Sequence, residues 1–256
     1  RNWRRQKSNK RRSDNPVETQ DFASLRVLGD KIMFKPKMVL IDVDGTLVDS
    51  VPDLTFCVDE MMKQLDMPVR GEAAVRQWVG NGVQRLTERA LTNDLDGYPD
   101  AELFARAMPI FMELYAENTS KRSRLYDGVV EGLDFLQHCE GLKIGCVTNK
   151  AEQFTLPLLT DLGIVDRFEI IISGDTLPEK KPHPMPLLHA AEKLGVKPED
   201  AVMIGDSKSD VKAALAAGFK IICMTYGYNH GEDIRNYHPD AVIDSMTELN
   251  NLINCA

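Results

Sequence analysis

Val39-Leu40-Ile41-Asp42-Val43-Asp44-Gly45-Thr46 is the stretch on which the fold and the chemistry of this chain turn. Three apolar residues, two of them β-branched, read as a buried strand, and the change to Asp-Val-Asp-Gly-Thr marks its end. A carboxylate at the end of a buried strand is costly unless it is paired or binds a metal. Asp42 and Asp44 leave on the same side, because alternate strand residues share a face. Gly45 lets the backbone turn sharply toward a ligand.

The same pattern recurs downstream. Leu142–Val147, Glu169–Ile172, Ala201–Ile204 and Lys220–Met224 read as buried strands, and helix-length segments occupy 151–162, 184–195 and 208–217. Gly163, Gly195 and Gly218 stand where helix C-caps fall. Strand-helix-strand alternation predicts an α/β fold, a Rossmann-like parallel sheet with helices on both faces. Ligands of such sheets gather at the carboxyl ends of the strands. Roughly 100 residues separate the first strand from the second, far more than a crossover needs. Leu54, Val58, Met61, Met62 and Leu65 repeat there at helical spacing behind a cap at Asp53. Further helices are expected at 71–79, 83–91 and 100–118. Residues 53–125 therefore read as an all-helical cap inserted into a core made of 33–52 and 126–256, and Gly80-Asn81-Gly82 as a tight turn between two cap helices.

The whole chain sets further bounds. At 256 residues, 43% hydrophobic and 27% charged, it has an ordinary globular composition. No apolar run approaches the ~20 residues that span a bilayer, so no membrane association is expected. Five scattered cysteines without a CxxC pair suggest neither a disulfide framework nor a zinc site, and fit a reducing cytoplasm. Seven Lys/Arg and no acid lie in residues 1–12, so the rest is more acidic than the net charge of −8. An acidic body is a poor nucleic-acid surface. Residues 1–32 are expected to be a basic, disordered extension, with Met33 and Met38 just ahead of the first strand. Oligomeric state is left open between monomer and homodimer.

The other strand ends carry Thr148-Asn149-Lys150, then Lys180-Lys181-Pro182-His183-Pro184 in the following loop, then Gly205-Asp206-Ser207-Lys208-Ser209-Asp210. Carboxylates, a hydroxyl and a lysine at neighbouring strand ends suit attack on a phosphate monoester. A cation relieves repulsion between carboxylate and phosphate, and acidic oxygen ligands suit Mg²⁺. Hydroxyl, amides and lysine hold the oxygens on which charge spreads. The five histidines show no metal-ligand spacing.

Over about residues 37–256 the chain resembles the haloacid dehalogenase-like phosphatases. The resemblance rests on DVDGT (42–46), Thr148-Asn149, Lys181 before the first proline of KPHP, and GDSKSD (205–210). It implies that Asp42 is the nucleophile and Asp44 the acid/base. It also implies Mg²⁺ on Asp42, the Asp44 carbonyl and Asp206, phosphate contacts from Thr148, Asn149 and Lys181, and support from Asp210. Asp49–Leu54, Trp78–Gly82, Glu88–Leu91 and Gly174–Pro184 resemble, more narrowly, the bacterial phosphoglycolate phosphatase subgroup, which implies 2-phosphoglycolate, a small phosphorylated metabolite, as substrate. Met185 departs from that subgroup, where an Asp is expected. In the same resemblance Gly80, Asn81 and Gly82 face the substrate. A cap cation would suit a substrate carboxylate, and Arg76, Arg85 and Arg89 are available, although each also reads as an ordinary exposed helix arginine. Asp44 counts against a dehalogenase. A phosphoglucomutase-like enzyme shares the core, and a non-catalytic binding scaffold would not need an intact acid/base pair.

Overall fold

A computed structural model describes residues 33–255; the extension expected at 1–32 lies outside them. Six parallel strands form one sheet. Its centre is β1 (Met38–Ile41), bonded on one side to β4 (Lys143–Val147) and on the other to β6 (Ala201–Gly205). β5 (Ile170–Ile172) lies outside β4, and β7 (Lys220–Met224) and β8 (Ala241–Ile243) lie outside β6. The chain runs outward from β1 on one side and returns on the other, so the order reverses beside β1. That crevice is where such sheets bind ligands.

Pleat alternation explains the two layers. Val39 and Ile41 face one apolar cluster with α5 (Val129–His138) and α6 (Glu152–Asp161), while Met38 and Leu40 face a second with α7 (Met185–Leu194) and α8 (Lys208–Ala217). Both faces are covered, which is why these strands read as continuous apolar runs. Gly195 and Gly218 cap α7 and α8 in the left-handed conformation, and Gly163 follows the C-cap of α6. β8 and α5 were not foreseen, being short or flanked by weak signals. Among the described residues no helix is long and apolar enough to cross a membrane.

Between β1 and β4 stand α1 (Val51–Gln64), α2 (Gly71–Trp78), α3 (Val83–Thr92) and α4 (Ala101–Glu117). They bury a third cluster of their own, with Leu54, Val58, Met61 and Met62 on one face of α1, as the spacing predicts. Phe154 and Tyr228 from the core complete it. An antiparallel ribbon, β2 (Val48–Asp49) with β3 (Arg124–Leu125), joins the two crossing segments.

Two expectations are corrected. Asp53 is not the helix cap: Ser50 holds that position, and Asp53 sits in the first turn of α1, wholly buried. Its Oδ2 accepts from Arg122 N (2.8 Å), Ser123 N (2.7 Å) and Ser123 Oγ (2.7 Å), and its Oδ1 pairs with Arg122 Nη1 at 3.1 Å. Sequence spacing could not show a partner 70 residues away. The cysteines also differ from expectation, because Cys139 and Cys255 form a disulfide with Cα atoms 4.6 Å apart. The returning C-terminal segment brings them together, with Phe34 bridged to Ile253 beside the same layer. Cys57, Cys146 and Cys223 are free and buried.

Replacing Asp53 by Ala strands buried N–H groups of the returning segment. Denaturant unfolding should show a loss of about 2–4 kcal/mol, with Asp53→Asn losing less.

Candidate active site

β1 delivers two carboxylates into different surroundings. Asp42 is buried, accepts from Val43 N at 2.8 Å and pairs with Lys181 Nζ at 2.9 Å. Burial lifts its carboxyl to about 6, with Lys181 pulling it down and Asp210 pushing it up. Asp44, two residues on, faces the insert. Both its oxygens lie near Lys150 Nζ, at 3.1 and 3.2 Å, and that ammonium also donates to the Tyr115 hydroxyl of α4.

Lys181 reaches the site from the proline-framed loop before α7. Its ammonium meets Asp42, Asp210 at 2.7 Å and the Val147 carbonyl at 2.7 Å. Burial works against its charge, but Asp210 and Asp42 outweigh that and raise its pKa. Lys180 points elsewhere, donating to the Asn81 carbonyl at 3.1 Å. Met185 opens α7, away from the cleft, with its N–H bonded to His183 Nδ1.

β6 and the start of α8 supply the remaining acids. Asp210 closes a capping box: its Oδ2 accepts from Ser207 N (3.0 Å) and Ser207 Oγ (2.7 Å) while Oδ1 faces Lys181. Asp206 accepts from Thr46 Oγ1 at 2.7 Å and Tyr228 N at 2.5 Å. Burial, then Asp210 and Asp42, raise its pKa. A Cβ on Gly45, at φ +90°, would lie 2.3 Å from Asp206 Oδ2, and one on Gly227 would lie 2.2 Å from it. Both glycines are needed for the loops to close on that carboxylate.

Asp42, Asp206 and Asp210 present ligand oxygens within 4.8 Å of one another. Lys181 pairs with Asp42 and Asp210 but not with Asp206, and the excess negative charge of these three buried carboxylates fits a cation held by oxygen ligands. The side chain of Asp44 is outside this group.

The cleft is lined by Asp42, Asp44, Thr148, Lys150, Lys181 and Asp206 from the core, and by Val79, Gly80 and Gly82 from the α2–α3 turn. Asn149 lines it too, but its Nδ2 is committed to the carbonyls of Lys181 (2.9 Å) and Gly80 (3.3 Å). Its amide ties the lysine loop to the insert. Asn81 turns away and accepts from Arg89 at 2.9 Å. Arg76, Arg85 and Arg89, the cap cations available by sequence for the substrate carboxylate, are all occupied. Arg76 pairs with Asp49 and Glu72, Arg85 with Glu88 and two carbonyls, and Arg89 with Asn81 and the Trp78 and Leu95 carbonyls. None of the three lines the cleft. Lys150 was not singled out in the sequence, because its partners Asp44 and Tyr115 are 106 and 35 residues away.

Residues 39–224 match the haloacid dehalogenase-like hydrolase family. The chain belongs to that family. A curated relative from Nitrosococcus oceani, named phosphoglycolate phosphatase, is 65% identical over 87% of this chain and 98% of its own. One from Thiobacillus denitrificans with the same name is 48% identical, covering 83% and 93%. A crystal structure from Haemophilus somnus, described as a predicted phosphoglycolate phosphatase, superposes with TM-score 0.80 at 34% identity over 85% of this chain and 98% of that one. This hydrolase therefore shares sequence with the two curated relatives, and fold with the crystal structure, over nearly their full lengths.

Removing the central cation should be severe. Lys181→Met leaves three buried carboxylates facing one another, and urea unfolding without divalent cations should show a loss of about 3–5 kcal/mol.

Proposed function

We propose that this hydrolase is a Mg²⁺-dependent phosphatase that converts 2-phosphoglycolate to glycolate and phosphate in the cytoplasm. The observation that carries the reading is the pair of carboxylates on one strand end held by different cations, Asp42 by Lys181 and Asp44 by Lys150. Two such groups can divide nucleophilic and acid/base work between them. The names of the relatives supply the substrate, and the near-complete overlap supports the transfer.

In this reading an Asp42 oxygen attacks phosphorus. The bond from phosphorus to the alkoxide oxygen breaks as Asp44 gives that oxygen its proton. Asp44, now a carboxylate, takes a proton from water as the water attacks the aspartyl phosphate, freeing Asp42 and inorganic phosphate. Thr148 and Lys181 hold the equatorial oxygens, and Asn149 and Asp210 keep Lys181 in place. Mg²⁺ bound by Asp42, Asp206 and the Asp44 carbonyl, with Asp210 beside it, would offset repulsion between the carboxylate and the phosphate dianion. We divide the chain into a core of 33–52 and 126–256 and a cap of 53–125, whose closure excludes water from the cleft.

Phosphate release is the test. Asp42→Asn should lower kcat by about 10³-fold or more, and chelation should abolish activity until Mg²⁺ is restored. Turnover of 2-phosphoglycolate should exceed that of hexose phosphates; the reverse would favour a phosphoglucomutase-like substrate.

A further inference from the structure

We infer that Lys150 is the residue that recognises the carboxylate of the substrate. This rests on the phosphatase reading above and assigns the part of the site that chooses among phosphate esters.

A substrate with a carboxylate beside its phosphate needs a second cation in the same cleft, because an unpaired buried charge is costly. The insert supplies none. Its contribution to the lining is Leu54, Val79, Gly80, Gly82, Val83 and Leu86, without one polar side chain. The lining contains two cations, Lys150 and Lys181. Lys181 is the cation assigned to the phosphate oxygens, and its ammonium also meets Asp42, Asp210 and the Val147 carbonyl, so it is not available to a second anionic group. The ammonium of Lys150 meets both oxygens of Asp44 and the Tyr115 hydroxyl, and a substrate carboxylate arriving beside Asp44 would share it with them.

Its position also fits. The leaving oxygen must come within hydrogen-bond reach of Asp44 to take its proton. In 2-phosphoglycolate the carboxylate carbon is two bonds from that oxygen. An ammonium 3.1 Å from Asp44 therefore stands where that carboxylate arrives. Its side chain is 2% exposed and lies over the Tyr115 ring, 4.8 Å from the centroid. Such a desolvated ammonium binds an anion more strongly than a surface lysine does. The apolar insert wall gives sugar hydroxyls nothing to bond, so the cleft favours a short acid over a hexose phosphate.

The competing role for Lys150 is to position Asp44 alone, and the two separate in a selectivity measurement. The probes are 2-phosphoglycolate and its uncharged amide, compared by kcat/KM in the intact enzyme, Lys150→Met and Lys150→Arg. The wild type should prefer the acid by about 30-fold or more. In Lys150→Met both substrates should turn over more slowly, because Asp44 loses its partner, and the preference should shrink to about threefold or less. Lys150→Arg should retain most of it. Equal wild-type rates on acid and amide would overturn the assignment, even if Lys150→Met proved too unstable to assay. So would a parallel loss on both substrates in Lys150→Met with the preference intact. A wild-type enzyme that favours hexose phosphates over 2-phosphoglycolate would instead refute the substrate reading.

Discussion

The ammonium of Lys181 lies almost wholly out of solvent, between Asp42 on the central strand and Asp210 at the head of α8, and bonded to the last carbonyl of β4. Three strand ends converge on it. Without that charge, Asp42, Asp206 and Asp210 would repel one another in a place where water cannot screen them. The supporting geometry follows from this contact. The capping box of α8 directs Asp210 toward the lysine, Asn149 holds the lysine backbone, and glycines at 45 and 227 let the loops approach Asp206. A stable fold and a cluster of acids able to take a cation are thus the same arrangement.

The helical insert is tied to this centre by contacts that each join a site residue to a crossing segment. Tyr228 gives its backbone N–H to Asp206, while its hydroxyl bonds Asp49 and receives Ser50 N. Lys150 links Asp44 to Tyr115. Lys180 and Asn149 hold the α2–α3 turn, and His230 donates to the Gln77 carbonyl at 2.7 Å. Movement of the insert would therefore be felt at both carboxylates of β1. Asp53, buried in the first turn of α1, ties the two crossing segments to each other.

Much of the site was legible because its residues follow strands directly. Asp42, Asp44, Thr148 and Asp206 are reached by counting from an apolar run, and strand ends of a parallel sheet share one edge. Roles that depend on distant partners were not legible. Asp53 has the composition of a cap and acts as a buried anchor. Asn149 looks like a phosphate ligand and spends its amide on carbonyls. The arginines of α2 and α3 look available and are held by their own neighbours. Cys139 and Cys255 gave no sign of pairing, since only the return of the C-terminal segment brings them together.

The sequence by itself determined the α/β alternation, the central strand, the inserted helices and the acids at the strand ends, because these depend on periodicity and on neighbours a few residues away. The tertiary structure decided which charges pair. It paired Lys181 with both Asp42 and Asp210, gave Asp44 its own cation in Lys150, and left the cap face of the cleft apolar. The physical reason is range. Hydrogen bonds and ion pairs act over a few ångströms in space, and partners that matter here, such as Asp49 and Tyr228, are 179 residues apart in the chain.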